Sequence, residues 1–391
     1  MTGRFDAHLI IVAETPERFS SVPREYFIQC QKLKTVTTQL SAQQLIHLCR
    51  EAGFDDAGCT TPEIPEQVQR HALAISRAGF FDELPYLQRH LHDGVSPATV
   101  LSGVNTVIVT VLHYNLPASA TAPAGSPAIA RYACFRDYHR VFKRLHRNVL
   151  KKLSAMGAQA RAFSDTTPFS ERTFAIKARL GNLMRNGMFC HHRFGPRVFL
   201  GCILTDLRCD DLPESTPDAS VLHPHCHNCD ACIRHCPTGA LRHGLPPAVD
   251  TRRCLSSLTI ENRGPVPASL QEKIRYQLFG CDRCLDVCPI QDAYQSEEFP
   301  MQSPLFPPRL PQAWDPVQFL AECIDDERFR QRFDGTVLRR PGQWGLIRNA
   351  LIVCTNLHLS AAVPLIETLL QRNDLPHWLR HLAVASLAEL S

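Results

Sequence analysis

The chain has 391 residues, of which 44% are hydrophobic and 20% are charged, and its formal net charge is +4. This length suggests two or three domains, and the composition is ordinary for a soluble globular protein. The mild positive charge permits a nucleic-acid partner but does not require one. No long apolar run and no signal peptide or twin-arginine leader stands out, so we expect no membrane segment.

Cysteine usage is the least ordinary feature of the sequence. There are 17 cysteines, an odd number, and eight of them lie between Cys226 and Cys288. A secreted disulfide-bonded protein would not normally leave one thiol over or crowd its cysteines in C-x-x-C spacing. The clustering indicates metal ligands in a cytoplasmic protein. We assign the nine other cysteines to buried apolar positions.

The first half of the chain alternates helix and strand signals, after an N-terminal extension of residues 1–40 that lacks strong periodicity. From Ser41, the pattern SAQQLIHLCREAGF predicts a capped helix. The β-branched runs at 105–113 and 198–205 predict buried strands. A long helix is predicted over 138–156, and we interpret its Lys and Arg residues as a solvated face.

These signals divide the chain into three segments. The alternation predicts an α/β or α+β domain over residues 41–210. Residues 211–295 are rich in Cys and Pro, so a core there would depend on metal centres. Residues 296–391 become helical from about Trp314, and the successive short helical patterns predict a small α-solenoid.

The strongest motif is the run Cys226-x2-Cys229-x2-Cys232-x3-Cys236-Pro237. It has the spacing of bacterial two-cluster ferredoxins, in which three thiolates from a tight turn bind one [4Fe–4S] cubane. The fourth cysteine, which precedes proline, is carried away and binds the other cluster. A second group of cysteines is therefore expected downstream.

That second group is Cys281-x2-Cys284-x3-Cys288-Pro289, and Cys254 replaces the cysteine that it lacks. By the same exchange rule, the first cluster takes Cys226, Cys229, Cys232 and Cys288. The second cluster takes Cys236, Cys254, Cys281 and Cys284. Two adjacent clusters would let electrons enter at one and leave from the other.

Other kinds of metal site are alternatives in this sequence. Paired C-x-x-C groups also bind structural zinc, but the three-cysteine run and the Cys-Pro endings favour iron–sulfur. His223, His225 and His227 are not needed as ligands, because eight cysteines complete two clusters. Asp137-x-His139 is similar to the start of a cobalamin-ligating Asp-x-His-x-x-Gly motif, but Phe142 replaces its glycine.

From residue 41 onwards, the chain resembles the epoxyqueuosine reductase family. The resemblance depends on these stretches: IARYACFRDYH (129–139), SDTTPFSER (164–172), RFGPRVFLGCILTD (193–206), CLSSLTIENRGPVP (254–267), FGCDRCLDVCP (279–289) and FDGTVLRRPGQWGLIRNAL (333–351). The ferredoxin run is widespread, whereas CLSSLTIENRGPVP between the two cysteine groups is far more specific.

The resemblance implies an α+β fold in three parts. These are an N-terminal α/β cobalamin-binding domain of nitroreductase-like type, a ferredoxin-like two-cluster domain, and a C-terminal HEAT-like helical segment that contacts tRNA. It also implies two [4Fe–4S] clusters, cobalamin and an external low-potential electron donor. The implied reaction reduces epoxyqueuosine to queuosine at the wobble position of tRNA, the last step of queuosine biosynthesis. We expect a monomer.

The resemblance assigns roles to individual residues. Asp165 occupies the position of the proton donor to the departing epoxide oxygen, although sequence alone favours a helix cap there. The positions that would line the cobalamin pocket are Cys134, Asn186, Ser256, Cys281 and Asp282. The cobalamin is bound without its own base on cobalt, which agrees with the incomplete Asp-x-His motif.

One segment departs from the family pattern GLGWIGKN, since residues 179–186 read RLGNLMRN. Arg179 and Met184 replace glycines, Asn182 replaces tryptophan and Arg185 replaces lysine. Cys202 stands where the family usually has glutamate. A new side chain beside a macrocycle can obstruct it, so these changes bear on the cobalamin pocket.

The C-terminal segment adds candidate tRNA contacts. The arginines concerned are Arg328, Arg330, Arg332, Arg339, Arg340 and Arg348. Asp325, Asp326 and Glu327 lie among them, so a plain solvated surface is an equal alternative.

Three other functions stay open at this point. A cobalamin reductase for a small molecule, such as a reductive dehalogenase, would usually carry an export leader and lack the helical segment. A ferredoxin-like electron carrier without catalysis would hold iron and sulfide but no corrinoid. A zinc-stapled RNA-binding module would be colourless.

Overall fold

The computed structural model describes residues 40–82, 84, 88, 96–116, 121–165, 170–213, 222–244, 248–294 and 305–391. The predicted N-terminal extension therefore lies outside the described residues, except for Leu40. All described residues belong to one unit of the structure. The three segments predicted from the sequence thus pack together, and their boundaries at 210 and 295 stay predictions.

The first segment is built around a four-stranded sheet. Its helices are α1 (Ala42–Glu51), α2 (Glu66–Arg77), α3 (Pro97–Val100), α4 (Tyr138–Ala155) and α5 (Glu171–Lys177), and its strands are β1 (Asp56–Thr60), β2 (Thr106–His113), β3 (Ala128–Ile129), β4 (Ala160–Phe163), β5 (Gly181–Leu183), β6 (Phe189–His191) and β7 (Val198–Thr205). The sheet order is β1-β2-β7-β4, and every pairing is antiparallel. This segment is therefore α+β, and the predicted helices and strands are confirmed.

The position of strand β2 between two core clusters explains why its sequence is apolar without a break. Ile108 and Leu112 point into the core cluster that includes α1 and α4, whereas Val107, Val109 and Val111 point into the cluster beneath α5. Successive side chains of a strand face opposite sides. Because both sides of the sheet are covered, all eight residues of β2 are buried.

Helix α1 begins as the sequence predicts. The Ser41 hydroxyl accepts the backbone N–H of Gln44, and the Gln44 side chain accepts the backbone N–H of Ser41 at 2.9 Å. This reciprocal capping box satisfies two N–H groups that the helix itself leaves unpaired. The helix then buries Leu45 and Cys49.

The cysteine-rich segment is made of short elements. These are α6 (Ala231–Arg234), β8 (Leu241–Arg242), β9 (Ala248–Val249), α7 (Leu255–Ile260), α8 (Ala268–Ile274), β10 (Gln277–Phe279), α9 (Arg283–Asp286) and α10 (Ile290–Ala293). Strand β10 pairs in parallel with β3 of the first segment. Gly280 follows with φ +68, and a Cβ there would overlap Ala130. The two segments are thus joined where the second cysteine group begins.

The C-terminal segment consists of helices. They are α11 (Pro316–Ile324), α12 (Asp326–Phe333), α13 (Gly342–Asn356), α14 (Val363–Leu370) and α15 (His377–Leu390). Helix α13 packs against α7, α8 and β10 of the cysteine-rich segment as well as against α11 and α15. Among the described residues, no helix combines the length and apolar character needed to cross a bilayer.

Arg348 of α13 corrects one prediction. It was a candidate for tRNA phosphate contact, but it is fully buried. Its guanidinium donates at 2.8 Å to the carbonyl oxygens of Leu258, Asn262 and Gly264, at and just beyond the end of α7. The carbonyls at a helix C-terminus lack partners within the helix. Arg348 therefore caps α7 from the neighbouring helical segment.

Buried His146 generates a prediction about pH. This α4 residue hydrogen-bonds Thr110 of β2 at 3.0 Å, and burial lowers its pKa to about 3. Between pH 3 and 6.5 the unfolded chain therefore binds more protons at this position, so folding stability falls as pH falls through that range. From pH 7.5 to 5.5 the expected loss is about 1.4 kcal/mol.

His146→Gln should remove that share of the pH dependence, because glutamine can keep a hydrogen bond to Thr110 but does not titrate. Unfolding by denaturant at the two pH values measures the difference. The same substitution at exposed His47 of α1 is the matched control and should leave the difference largely intact. Equal pH dependence in the wild type and His146→Gln would contradict the assignment.

Candidate functional site

The structure brings the eight clustered cysteines together as two sets of four. The first set lines one cavity and consists of Cys226, Cys229, Cys232 and Cys288. Cys226 ends a 3₁₀ turn (Pro224–Cys226), Cys232 lies in α6, and Cys288 arrives from the far end of the segment after α9. The pKa of Cys232 is raised to about 11, first by burial and then by the Cys226 and Cys288 thiols.

The second set consists of Cys236, Cys254, Cys281 and Cys284. Cys254 is the N-cap residue of α7, and Cys281 and Cys284 flank the start of α9. The pKa of Cys281 is raised to about 12, first by burial and to a smaller extent by the neighbouring Cys254 thiol. The pKa of Cys254 is raised by burial and then by Cys236. Each thiol makes the ionisation of its neighbours less favourable. A bound metal cation would offset the repulsion between the thiolates and so favour their ionised form.

Asn186 lies between the two sets. Its side chain lines the cavity of the first set, and its Nδ2 donates to the carbonyl oxygen of Cys284 at 3.4 Å. Its Oδ1 accepts the backbone N–H of Met188 at 3.0 Å. This predicted cobalamin contact therefore occupies the wall between the cysteine sets.

An ionic network, buried at Asp282 and Arg197 and exposed at Asp286, holds the second set against the first segment. Asp282 Oδ2 accepts the backbone N–H of Arg131 at 2.7 Å, and Asp286 pairs with Arg131 and Arg197 at 3.0 and 3.2 Å. Arg197 also donates to Gln291 at 2.6 Å. Burial raises the pKa of Asp282. The network fixes α9 and so the geometry of Cys281 and Cys284.

Asp165 is held in an unusual backbone conformation by two contacts. Its φ of 54° lies in the left-handed region that non-glycine residues avoid. Its Oδ2 accepts the Tyr138 hydroxyl at 2.6 Å, and its backbone N–H donates to Glu171 at 2.8 Å. The helix-cap alternative is wrong, because Ser170 is the N-cap of α5 and accepts the backbone N–H of Thr173.

Tyr132 relates Asp165 to the second cysteine set. It lies in the 3₁₀ turn Arg131–Cys134, and its pKa is raised well above the usual value, first by burial and then by Asp165, Tyr114 and Asp282. Asp165 and Asp282 therefore act electrostatically on one tyrosine ring. Cys134, in the same turn, is fully buried, with its thiol facing the carbonyl oxygen of Ala130 at 3.9 Å. Ser256 is half-buried in α7.

Comparison with known proteins identifies the family. Residues 225–291 match the family described as "4Fe-4S double cluster binding domain", and residues 95–166 match "Epoxyqueuosine reductase QueG, DUF1730". The epoxyqueuosine reductase of Pseudomonas aeruginosa is 31% identical over 344 residues, covering 86% of this chain and 90% of the relative. This chain belongs to the epoxyqueuosine reductase family. The epoxyqueuosine reductase of Gloeobacter violaceus is 37% identical over 319 residues, covering 79% of this chain and 94% of the relative.

Solved structures agree with this membership at the level of the fold. An epoxyqueuosine reductase in complex with a modified tRNA-Tyr stem loop superposes with a TM-score of 0.72 at 23% identity, covering 89% of each chain. The enzyme from Bacillus subtilis gives a TM-score of 0.73 at 22% identity, covering 89% of this chain and 90% of that one. The mixed helix and sheet fold of epoxyqueuosine reductases, with its double-cluster domain, is thus present.

The segment that departs from the epoxyqueuosine reductase pattern forms the start of the β5–β6 hairpin. Arg179 has φ 60°, so the glycine usual in the family would relieve backbone strain there. Met184 is buried beside Cys226 in a small apolar cluster. Arg185 donates to the carbonyl oxygens of Cys226 and His227. Two of the departures, Met184 and Arg185, therefore lie against the first cysteine set.

Asp56, His191 and His192 form a group that the sequence analysis missed. Their possible ligand atoms lie within 4.8 Å of one another, close enough to surround a single metal ion. However, Nδ1 of His191 accepts the backbone N–H groups of Arg193 and Phe194. The ring proton is therefore on Nε2, facing Asp56 at 3.4 Å. The pair buttresses β1 against β6, and Nε2 is not available to a metal.

Tyr138, Arg197 and Asp286 are also residues that sequence reasoning missed. Tyr138 follows Asp137 at the start of α4, where an aromatic residue reads as core. Arg197 and Asp286 come together from positions 89 residues apart. All three residues lie within the stretches that resemble the family, and this was the available signal for them. Their contacts follow only from the fold.

Gly181 of β5 generates a prediction about this hairpin. A Cβ there would overlap the backbone carbonyl of Cys190 and press on the Phe189 ring. Gly181→Ala should therefore destabilise the iron-loaded protein by about 1–3 kcal/mol, the usual cost of overpacking. Gly264→Ala is the matched control, because its Cβ would meet only Asn262 at 3.7 Å. Thermal unfolding, monitored by circular dichroism, measures the stability of both variants. Equal stabilities would refute the clash.

Proposed function

We propose that this chain reduces epoxyqueuosine to queuosine at the wobble position of tRNA, using two [4Fe–4S] clusters and cobalamin. The observation that carries the proposal is the arrangement of two four-cysteine sets, the second of which contains Cys281, two residues after Phe279. From Phe279, ring contacts run through Tyr132 and Phe199 to Tyr138, which bonds Asp165. Family membership supports the reaction. A related enzyme bound to an epoxyqueuosine-modified stem loop supports tRNA as the substrate.

The donor atoms present suit the clusters. A [4Fe–4S] cluster is held by four thiolates, and each cysteine set offers four sulfurs with no disulfide among them. The first cluster would be held by Cys226, Cys229, Cys232 and Cys288. The second would be held by Cys236, Cys254, Cys281 and Cys284. Hydrogen bonds from Thr238, Leu241 and Ala240 outweigh burial and lower the pKa of Cys236, which favours its thiolate.

The surroundings of Asp282 suit a macrocycle rimmed by amides. Within the described residues, the buried guanidinium nitrogens Arg131 Nε, Arg197 Nη1, Arg283 Nε and Arg283 Nη2 have no hydrogen-bond partner. Buried donors without partners are uncommon. Cobalamin carries amide carbonyl oxygens around its ring that could accept such bonds. Ser256, Cys281 and Asp282 would hold it from the side of the second set, with Asn186 further along the wall and Cys134 behind Tyr132.

Removing an epoxide oxygen as water consumes two electrons and two protons. When bound, the clusters and cobalamin supply the electrons and the reactivity that cleaves the carbon–oxygen bond. The chain's own residues handle the protons. Asp165 delivers a proton to the departing oxygen, and Tyr138 orients the Asp165 carboxyl through the 2.6 Å hydrogen bond. The Glu171 carboxylate fixes the backbone N–H of Asp165 and so the direction of its side chain.

A second cavity suits the RNA. It has a volume of about 680 Å³, and its wall contains Arg252, Arg263 and Arg340 together with Glu261 and Asn262 at the end of α7. Arg340 bonds Glu261 at 3.0 Å and Arg252 bonds Asp250 at 2.8 Å, so two positive charges there are already matched. Phosphate contacts from Arg263, and from exposed arginines of a HEAT-like C-terminal segment, would position the anticodon loop. The protein acts as a monomer in this proposal.

The first test is the metal content of anaerobically purified protein supplied with corrinoid. The proposal expects about eight irons, about eight sulfides and one cobalt per chain. It also expects conversion of epoxyqueuosine tRNA under a chemical reductant. Eight irons without cobalt after reconstitution would count against it and favour the electron-carrier alternative.

Cys284 and Cys288 are four residues apart but belong to different sets, which allows a sharp test of the ligand assignment. Cys288→Ala with Cys226→Ala should remove only the first cluster and leave about four irons. Cys288→Ala with Cys284→Ala should remove both clusters. Iron analysis and electron paramagnetic resonance distinguish the two double variants, and equal iron contents would overturn the crossed assignment.

Asp165→Asn should lower kcat by about 10²–10⁴-fold, as expected for loss of a general acid. Tyr138→Phe should lower it by about tenfold, since it removes one hydrogen bond that orients Asp165. Neither change should alter the iron or cobalt content. Single-turnover conversion of epoxyqueuosine tRNA measures the effect, and Asp210→Asn at an exposed site is the matched control. Full activity of Asp165→Asn would exclude the donor role.

A further inference from the structure

The two cysteine sets differ in their access to the surface. Around the first set, Pro224, His225, His227 and Asn228 are exposed, and so is Pro289 beside Cys288. Around the second set, Phe279, Gly280, Asp282 and Leu285 are buried. The first set therefore lies beneath the surface, whereas the second lies inside the protein on the side of Asp165.

The surface over the first set has an unusual charge pattern. Residues 222–243 contain five of the chain's 18 histidines, two arginines and a single carboxylate, Asp230. The Asp230 carboxylate is already paired, since it accepts a hydrogen bond from Arg234 Nε at 2.7 Å. The segment thus presents hydrogen-bond donors and no unmatched negative charge. We call residues 223–235 with Arg185 the histidine face.

Arg185 adds a fixed positive charge to this face. Its guanidinium donates to the carbonyl oxygen of Cys226 at 2.5 Å and to that of His227 at 3.3 Å. No carboxylate of the described residues forms an ion pair with it. The guanidinium also lines the cavity of the first set. Any negatively charged group that approaches that set is attracted by it.

We propose that the histidine face docks a small acidic electron-carrier protein that reduces the first cluster. This inference rests on the proposed function and deepens it by naming the class of donor and its docking surface. In each encounter the reduced carrier loses one electron and the cluster-loaded chain gains one. Two encounters supply the two electrons that release the epoxide oxygen as water.

The physical argument for a protein partner is complementarity. Encounters between electron-transfer proteins are small and transient, and opposite charges steer them. RNA is the competing acidic macromolecule, but the base that reacts must reach Asp165. Ring contacts through Tyr138, Phe199 and Tyr132 connect Asp165 with the second set, not with the first. A carrier on the histidine face and RNA near Asp165 could therefore bind together without competing.

The test uses the full-length iron-loaded chain and an acidic plant-type [2Fe–2S] ferredoxin as probe. Stopped-flow absorbance measures the second-order rate at which reduced ferredoxin reduces the chain. The variant is His227→Glu with Arg234→Glu, both exposed and neither lining the cavity. We expect its rate to fall at least tenfold, and the wild-type rate to fall as salt rises.

Lys143→Glu with Arg147→Glu on the exposed side of α4 is the matched control, because it introduces the same charges elsewhere. It should keep the wild-type rate. Iron content and circular dichroism verify folding, and His227→Gln with Arg234→Gln should fall between the wild type and the reversal. An unchanged rate for the face variant, or an equal loss in the α4 variant, would overturn the proposal.

Two further readouts separate this inference from the proposed function. With dithionite as reductant, the face variant should convert epoxyqueuosine tRNA as fast as the wild type. If the wild type converts no tRNA under dithionite, the proposed function fails, yet the ferredoxin rates still test the docking face. If the face variant instead binds tRNA more weakly by fluorescence anisotropy, the face binds RNA and the docking proposal is wrong.

Discussion

The crossing of Cys236 and Cys288 is the constraint on which this structure depends. Each of these residues lies in one cysteine group along the chain and in the other group in space. Two segments about 50 residues apart are therefore interlocked, because each set of four takes cysteines from both of them. The short elements between them, such as α6 and α9, bury too little apolar surface to fix this arrangement by packing. Four-sulfur sites supply the missing constraint, as structural metals do in small domains.

The interlock is supported from both sides by buried charge. Arg131 and Arg197 reach from the first segment to Asp282 and Asp286, and Arg348 reaches from the C-terminal segment to the end of α7. A buried ion is costly unless nearly all its hydrogen bonds are made. Arg348 meets that condition, whereas Arg131, Arg197 and Arg283 retain nitrogens without partners. Its complete set of contacts gives Arg348 a structural role.

Local features of the fold could be read from the sequence because local physics decides them. The Ser41 capping box, the buried run of β2 and the helix of α4 follow from side-chain chemistry within a few residues of each position. The grouping of the cysteines could also be predicted, because spacing alone limits which thiolates share a cubane. The antiparallel direction of the sheet could not, since both faces are covered and the apolar run is the same for either direction.

The candidate site was harder to predict where it depends on distant residues. Asp165 read as a helix cap because Pro168 and Ser170 follow it, and only the fold reveals that Ser170 does the capping. Arg348 read as a surface cation because it was grouped with five other arginines of the C-terminal segment. Its three carbonyl partners lie more than 80 residues away. The hydrophobic periodicity of a helix indicates which face is apolar. It does not indicate which backbone carbonyls of other segments lie next to that helix.

The Arg348 contact has a consequence for the modularity of the protein. Helix α7 begins directly after Cys254, a member of the second set, and ends at carbonyls that a different segment satisfies. Asn349, next to Arg348, extends the same link by donating to the carbonyl oxygens of Thr259 and Leu278 at 2.9 Å. The C-terminal helices are therefore part of the same cooperative unit as the second cysteine set. A chain truncated before Arg348 would leave the carbonyls at the end of α7 without partners, so a cut at that boundary would not release an independent module.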